Sequence, residues 1–117
     1  MKTIYGIAGK LYRIVRPVRA SHYLAFIRRH GCVGCRSWNR HVDAMHTGSR
    51  GMGQKASDFD ALPGCRKCHR ELHEMGAWGF QDKHKIEFAT LIPQFQELYR
   101  IDFEERYQEL VAGQEAA

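Results

Sequence analysis

The cysteines of this chain fall in two pairs, Cys32-Val33-Gly34-Cys35 and Cys65-Arg66-Lys67-Cys68, and the second runs straight into His69-Arg70-Glu71-Leu72-His73. A Cys-x-x-Cys turn aims two thiolates at one point, so two such turns can close a tetrahedral shell around a structural zinc ion. His69 and His73 are four apart; on a helix they share one face and can hold a second metal. Other readings compete. The thiols could be buried without a ligand, or His69 could replace a cysteine at the zinc. Cys65-Arg66-Lys67-Cys68-His69 also fits a c-type haem attachment pattern, but that needs an oxidising compartment and leaves Cys32 and Cys35 without a role.

Between the two pairs lie 29 residues, among them Asp43-Ala44-Met45-His46. An unperturbed imidazole has a pKa of about 6.5, so His46 can accept a proton from water near neutral pH and serve as a general base. A phosphodiester resists attack because its own negative charge repels nucleophiles; a divalent cation offsets that charge and stabilises the leaving oxygen. With such an ion on His69 and His73, and His46 facing it, the chain has the parts for metal-assisted hydrolysis. Asp43 is a further candidate ligand, although a spacing of three from His46 would turn it to the opposite face of a regular strand. Two imidazoles favour a transition metal, while magnesium, manganese and zinc all stay candidates. His22, His30, His41 and His84 read as surface or capping residues, with only His41 near the proposed site.

Positioning these groups takes a strand, a loop, a returning strand and a helix. Residues 38–45 are the best strand candidate, with imperfect alternation. Residues 47–55 carry three glycines and form a loop. Residues 58–63 suit the return strand, and residues 66–75 a helix ended by Gly76. A zinc at both ends of this unit would fold it into a compact ββα arrangement. Upstream, Ser21 can cap a helix over about residues 22–30, stopped by Gly31. Residues 11–15 offer a short strand in an otherwise irregular start. Thr90 can open a final helix reaching about residue 112, with Pro93 tolerated in its first turn. The stripe Leu91, Phe95, Leu98, Phe103, Tyr107, Leu110 and Val111 reads as core with a possible homodimer face. Trp38 and Trp78 read as packing residues.

At 117 residues the chain is expected to be one α+β domain over residues 1–117, short enough to gain from a metal staple. No apolar run approaches the roughly 18 residues of a spanning helix, and no cleavage signal follows Lys2. The expectation is a cytoplasmic chain, where thiols stay reduced, with no membrane partner. Charge is distributed unevenly. Residues 1–42 hold nine Lys or Arg and no acid, whereas residues 94–117 hold two basic and six acidic residues. Arg28, Arg29, Arg36 and Arg40, with Arg50 and Lys55 in the glycine loop, are candidate phosphate contacts. A solvated basic face is the alternative.

The stretch Asp-Ala-Met-His-Thr-Gly-Ser-Arg-Gly-Met-Gly-Gln-Lys-Ala-Ser-Asp, followed by Leu-Pro-Gly-Cys-Arg-Lys-Cys-His-Arg-Glu-Leu-His-Glu-Met-Gly, resembles the HNH, or His-Me finger, nucleases. The resemblance is nearest to small phage- and prophage-type members such as the YbcO-like and Ref-like proteins, and it covers roughly residues 20–90. It implies a ββα-metal fold that cuts DNA by metal-assisted hydrolysis. His46 stands in the place of the general-base histidine, His69 in that of the last metal ligand, and His73 in that of an additional helix histidine. The middle asparagine of the HNH name is absent, and Asp58 and Asp60 occupy its region, where either could orient His46 or approach the metal. Gly64 replaces a leucine before the second knuckle, which should loosen packing there. A non-catalytic four-cysteine zinc module that binds DNA or a protein is the competing function.

Overall fold

A computed structural model describes residues 2–5, 11–14, 19–47 and 57–115. The elements run β1 (Lys2–Tyr5), β2 (Leu11–Ile14), α1 (Ser21–Ile27), β3 (Val42–His46), a 3-10 turn (Asp58–Asp60), β4 (Ala61–Cys65), α2 (Arg66–His84), α3 (Phe88–Asp102) and α4 (Glu104–Glu115). The chain is thus a small mixed α+β structure with two separate antiparallel strand pairs. β1 pairs with β2 from Lys2↔Ile14 to Tyr5↔Leu11. β1 lies in the stretch read as irregular; four residues between a terminus and Gly6 carry too short a pattern to stand out. No helix among the described residues is long and apolar enough to cross a membrane.

β3 and β4 pair from Val42↔Cys65 to His46↔Ala61 and divide the interior in two. Successive side chains on a strand point to opposite faces. Ala44 and Ala61 accordingly join Ala20, Tyr23, Phe26, Ile27, Phe59 and Tyr99 in one core. Met45 and Leu62 join Cys32, Cys65, Cys68, Leu72, Phe80 and Phe88 in the other. Both faces of the hairpin are covered, so neither needs polar residues, and the alternation in sequence is blurred for that reason.

Several boundaries differ from expectation, each with a local cause. Residues 38–40 are bends, not strand. The Cys32 N–H donates to the Ser37 carbonyl at 3.1 Å and Arg36 adopts a left-handed φ of 62°, so the first knuckle closes before β3 begins. The return strand starts at Ala61 instead of residue 58, because the Ser57 hydroxyl accepts the Phe59 N–H at 3.3 Å and winds residues 58–60 into the 3-10 turn. Ser21 makes no cap to α1. In its place the Ala20 N–H donates to the Asp58 carboxylate at 2.8 Å, a contact across 38 residues. α2 does not end at Gly76 but breaks there, at φ 79° and ψ 171°, and resumes to His84.

The C-terminal helix is two helices. α3 begins at Phe88, whose N–H donates to the Gln81 side-chain oxygen at 2.7 Å, so a tertiary acceptor sets the start and Thr90 does not. Pro93 lies inside α3 beyond its first turn, and Phe103 leaves helical geometry at φ −138° and ψ 54° to separate α3 from α4. Phe103, Tyr107, Leu110 and Val111 then pack against the core that holds Tyr23 and Tyr99. Gly64 is not loosely packed: a β-carbon there would lie 2.2 Å from the Met45 sulfur, so the fully buried Met45 already fills the space.

Candidate functional site

The four cysteine sulfurs lie within 4.8 Å of one another, as a group that could hold a metal ion. All four are free thiols, and the Cys35 and Cys65 sulfurs are 3.7 Å apart. Metal–sulfur bonds of about 2.3 Å in a tetrahedron put its edges near ~3.8 Å, so the donor spacing fits. The backbone builds this geometry from both sides. Val33 donates its N–H to the Pro63 carbonyl at 3.0 Å, tying the first knuckle to β4. The Cys65 sulfur caps α2 by accepting the Cys68 N–H at 3.5 Å. At Gly34 a β-carbon would meet the Cys68 sulfur at 2.9 Å, so a side chain there would press on the cluster.

Ionisation separates the thiols. Burial pushes Cys32 up, but N–H groups of Cys65, Cys35 and Gly34 and the Cys68 thiol outweigh it and bring it down to about 7. Cys68 and Cys35 are raised, first by burial and then by neighbouring thiols. Four sulfurs this close cannot all carry charge unless a cation sits among them.

His46, at the end of β3, makes a hydrogen bond of 2.7 Å through Nε2 to Oδ1 of Asp58. Asp58 is 7 % exposed and also takes the Ala20 N–H and, at 3.2 Å, the Arg19 guanidinium. Burial raises the Asp58 carboxyl, yet the His46 bond, the Ala20 N–H and the charges of His46 and Arg19 hold it below the usual carboxylate range. Nothing in the sequence pointed to Arg19 or Ala20 here; both lie nearly forty residues from Asp58. Asp60 does not join this network: its backbone carbonyl accepts the Thr47 hydroxyl at 2.6 Å and burial raises its carboxyl.

Asp43 serves a different partner. Its Oδ2 lies 3.2 Å from Nδ1 of His69 on α2, and its Oδ1 lies 3.0 Å from Nε2 of His41. Burial raises Asp43, but the hydrogen bonds and charges of these two histidines lower it overall. His73 is exposed, with its ring centroid 5.0 Å from that of His69. The structure therefore brings together His46 with Asp58, and Asp43 with His69, as separate pairs. Among the described residues, the groups of three or more ligand atoms within 4.8 Å are the four cysteines and Cys68–Glu71–His84. His84, for which the sequence suggests a surface or capping role, is mostly covered at the end of α2, bonded to Glu71 through Nε2 and packed on Phe80 at 4.4 Å.

Arg28, Arg29, Arg36 and Arg40 are all exposed and make no ion pair among the described residues. Arg50 and Lys55 lie outside the described residues. The two tryptophans are not packing residues: Trp38 is 78 % exposed and Trp78 87 %.

No curated protein and no solved structure matches the chain. A family model does match, over residues 14–99, and that span holds both knuckles, β3, β4, α2 and most of α3. The chain belongs to DUF968, a family described as proteins of unknown function.

Proposed function

We propose that this chain is a metal-dependent DNA endonuclease of the HNH, or His-Me finger, type, in which β3, β4 and α2 form the ββα-metal unit and Cys32, Cys35, Cys65 and Cys68 hold a structural zinc. The observation that carries the reading is the 2.7 Å hydrogen bond between His46 and Asp58. When Nε2–H donates to the carboxylate, a neutral imidazole leaves Nδ1 as its acceptor, and that nitrogen can take a proton from water. Asp58 holds this tautomer and offsets the positive charge that His46 then acquires. The missing asparagine of the HNH pattern is in this reading replaced by a buried carboxylate that Ala20 and Arg19 hold in place.

The donors for a catalytic ion in this reading are Asp43 and His69, with His73 one turn further along α2; the three do not lie within 4.8 Å of one another, so His73 would have to turn toward the pair to join it. The 3.2 Å between Asp43 Oδ2 and His69 Nδ1 suits two atoms sharing one ion, since bonds of about 2.1 Å place such donors about 3.0–3.4 Å apart. A divalent ion there supplies charge neutralisation of the phosphate and of the departing oxygen. His46 and Asp43 leave opposite faces of β3, so in this reading the phosphate lies across the end of that strand. Water gives its proton to His46 as its oxygen bonds to phosphorus, the bond from phosphorus to the 3′-oxygen breaks, and that oxygen takes a proton from solvent.

Plasmid nicking across several divalent metals tests this. Cleavage should fall about 10²–10⁴-fold in His46→Ala, with metal content unchanged, because a general base is lost. His69→Ala should lose cleavage together with one bound ion. The second reading, a non-cleaving zinc module, draws on the arrangement of His46, His69 and His73, which do not form a single three-ligand group. One ion per wild-type chain and no nicking under any metal would select it.

A further inference from the structure

The geometry points to Trp38 as a stacking platform for an unpaired base of a single-stranded nucleic acid, an inference that rests on the nucleic-acid reading above and narrows its substrate. A β-carbon built on Gly31 would lie 3.0 Å from both Cδ2 and Cε2 of Trp38. Those two atoms form the bond shared by the indole rings, and an approach in the ring plane would meet peripheral atoms first. Gly31 therefore lies under one face of the indole. With the residue 78 % exposed, the opposite face is left to solvent. The loop that carries it is fixed on both sides, by Cys32 N–H to Ser37 carbonyl at 3.1 Å and by the Ser37 hydroxyl to the Asn39 side chain at 3.0 Å.

Charge identifies the occupant. In sequence Trp38 lies between exposed Arg36 and Arg40, and Arg28 and Arg29 lie three and two residues before the glycine beneath it. An open groove of about 390 Å³, lined in part by Arg36, Leu91 and Leu98, continues from the ring. Phosphates fit the arginines, and a base fits the free ring face. In a duplex each base face is covered by its neighbours, so only an unpaired base can take that position. Trp78 makes the contrast: it is equally exposed, but its surroundings mix Lys85 with Asp82 and Glu87, which gives a polyanion no net attraction. A second copy of the chain docking through the same patch would set these arginines against one another, an arrangement that like charges oppose.

The test uses the His46→Ala chain, so that no strand is cut, with Trp78→Phe leaving Trp38 as its sole tryptophan. Oligothymidylate and a two-stranded duplex of equal length, each carrying a terminal fluorophore, are titrated while tryptophan emission is followed and, for the variants that lack Trp38, the anisotropy of the label. The single strand should quench Trp38 emission. Trp38→Ala should weaken its binding about 5- to 100-fold while duplex affinity changes less than about twofold, and Trp38→Phe should keep most of the affinity. Unchanged circular dichroism and melting in these variants show that the fold is intact. Absent quenching, or equal losses on single strand and duplex, would overturn the platform. A dimer that Trp38→Ala turns into a monomer on sedimentation would overturn it too, making the face a contact between copies. Because binding is read without cleavage, a chain that binds and quenches but never nicks keeps the platform and loses the nuclease reading. A chain that nicks with unaltered single-strand affinity in Trp38→Ala does the reverse.

Discussion

Asp58 ties three parts of the chain together through one carboxylate, and its charge has a readable consequence. Its carboxyl lies below the ordinary 3.8 in the folded chain, since the His46 bond, the Ala20 N–H and nearby positive charge outweigh burial. A group whose folded pKa is depressed adds stability above its unfolded value, and that stability is lost as pH falls through the folded one. Asp58→Asn should therefore be less stable than wild type near neutrality, with the gap in urea midpoint closing below about pH 4. A gap of constant size into strong acid would mean that the shape of Asp58 matters and its charge does not. Tyr23 offers the opposite kind of test. Its ring is fully buried among Phe26, Phe59 and Tyr99, while its hydroxyl has no hydrogen-bond partner among the described residues. Tyr23→Phe should stabilise the fold by about 1 kcal/mol, because an unsatisfied buried hydroxyl costs about that much. A loss of stability would reveal a partner for that oxygen.

At the scale of elements, the β3–β4 hairpin and the start of α2 act as one body, because Cys65 ends a strand, caps a helix and faces three other sulfurs. Cys65→Ser should consequently remove bound zinc and much of the melting temperature together, since metal binding and folding are coupled in so small a core. Native circular dichroism and an unshifted melt in that variant would reject the staple. The hairpin itself depends on an empty position. Gly64→Ala would force a β-carbon into Met45, whose sulfur, Cε and Cγ would all lie within 2.8 Å of it, at a cost of about 1–3 kcal/mol for overpacking. Shortening Met45 to Ala should recover part of that loss, so the pair should be strongly non-additive in a double-mutant cycle.

Across the whole molecule, charge runs from basic to acidic along the chain. The last helices carry exposed Glu97 and Glu104 on either side of Arg100 and pair with it, so their charges are largely used within the chain. The exposed arginines just after α1 and around the first knuckle have no such partners among the described residues. Arg28→Ala combined with Arg29→Ala should weaken every DNA sequence about equally and lower the slope of log affinity against log salt by about two, if each arginine neutralises one phosphate. An unchanged slope would move the binding surface elsewhere.

The four-cysteine cluster was legible from sequence because Cys-x-x-Cys spacing is local geometry: four residues fix the turn, and a second copy supplies two more thiols to the group that could hold a metal. The helix carrying His69 and His73 was legible for the same reason. The strand candidates had the right order but the wrong ends, since a hairpin buried on both faces loses the alternation that marks its limits. Tertiary structure alone decided the partners. Asp58 reaches Ala20, Arg19 and His46, Gln81 starts α3, and Met45 fills the space over Gly64. Each of these contacts joins residues brought close by packing and not by spacing along the chain. The exposure of Trp38 belongs with them, because the first knuckle turns residues 38–40 away from the strand that sequence periodicity had assigned to them.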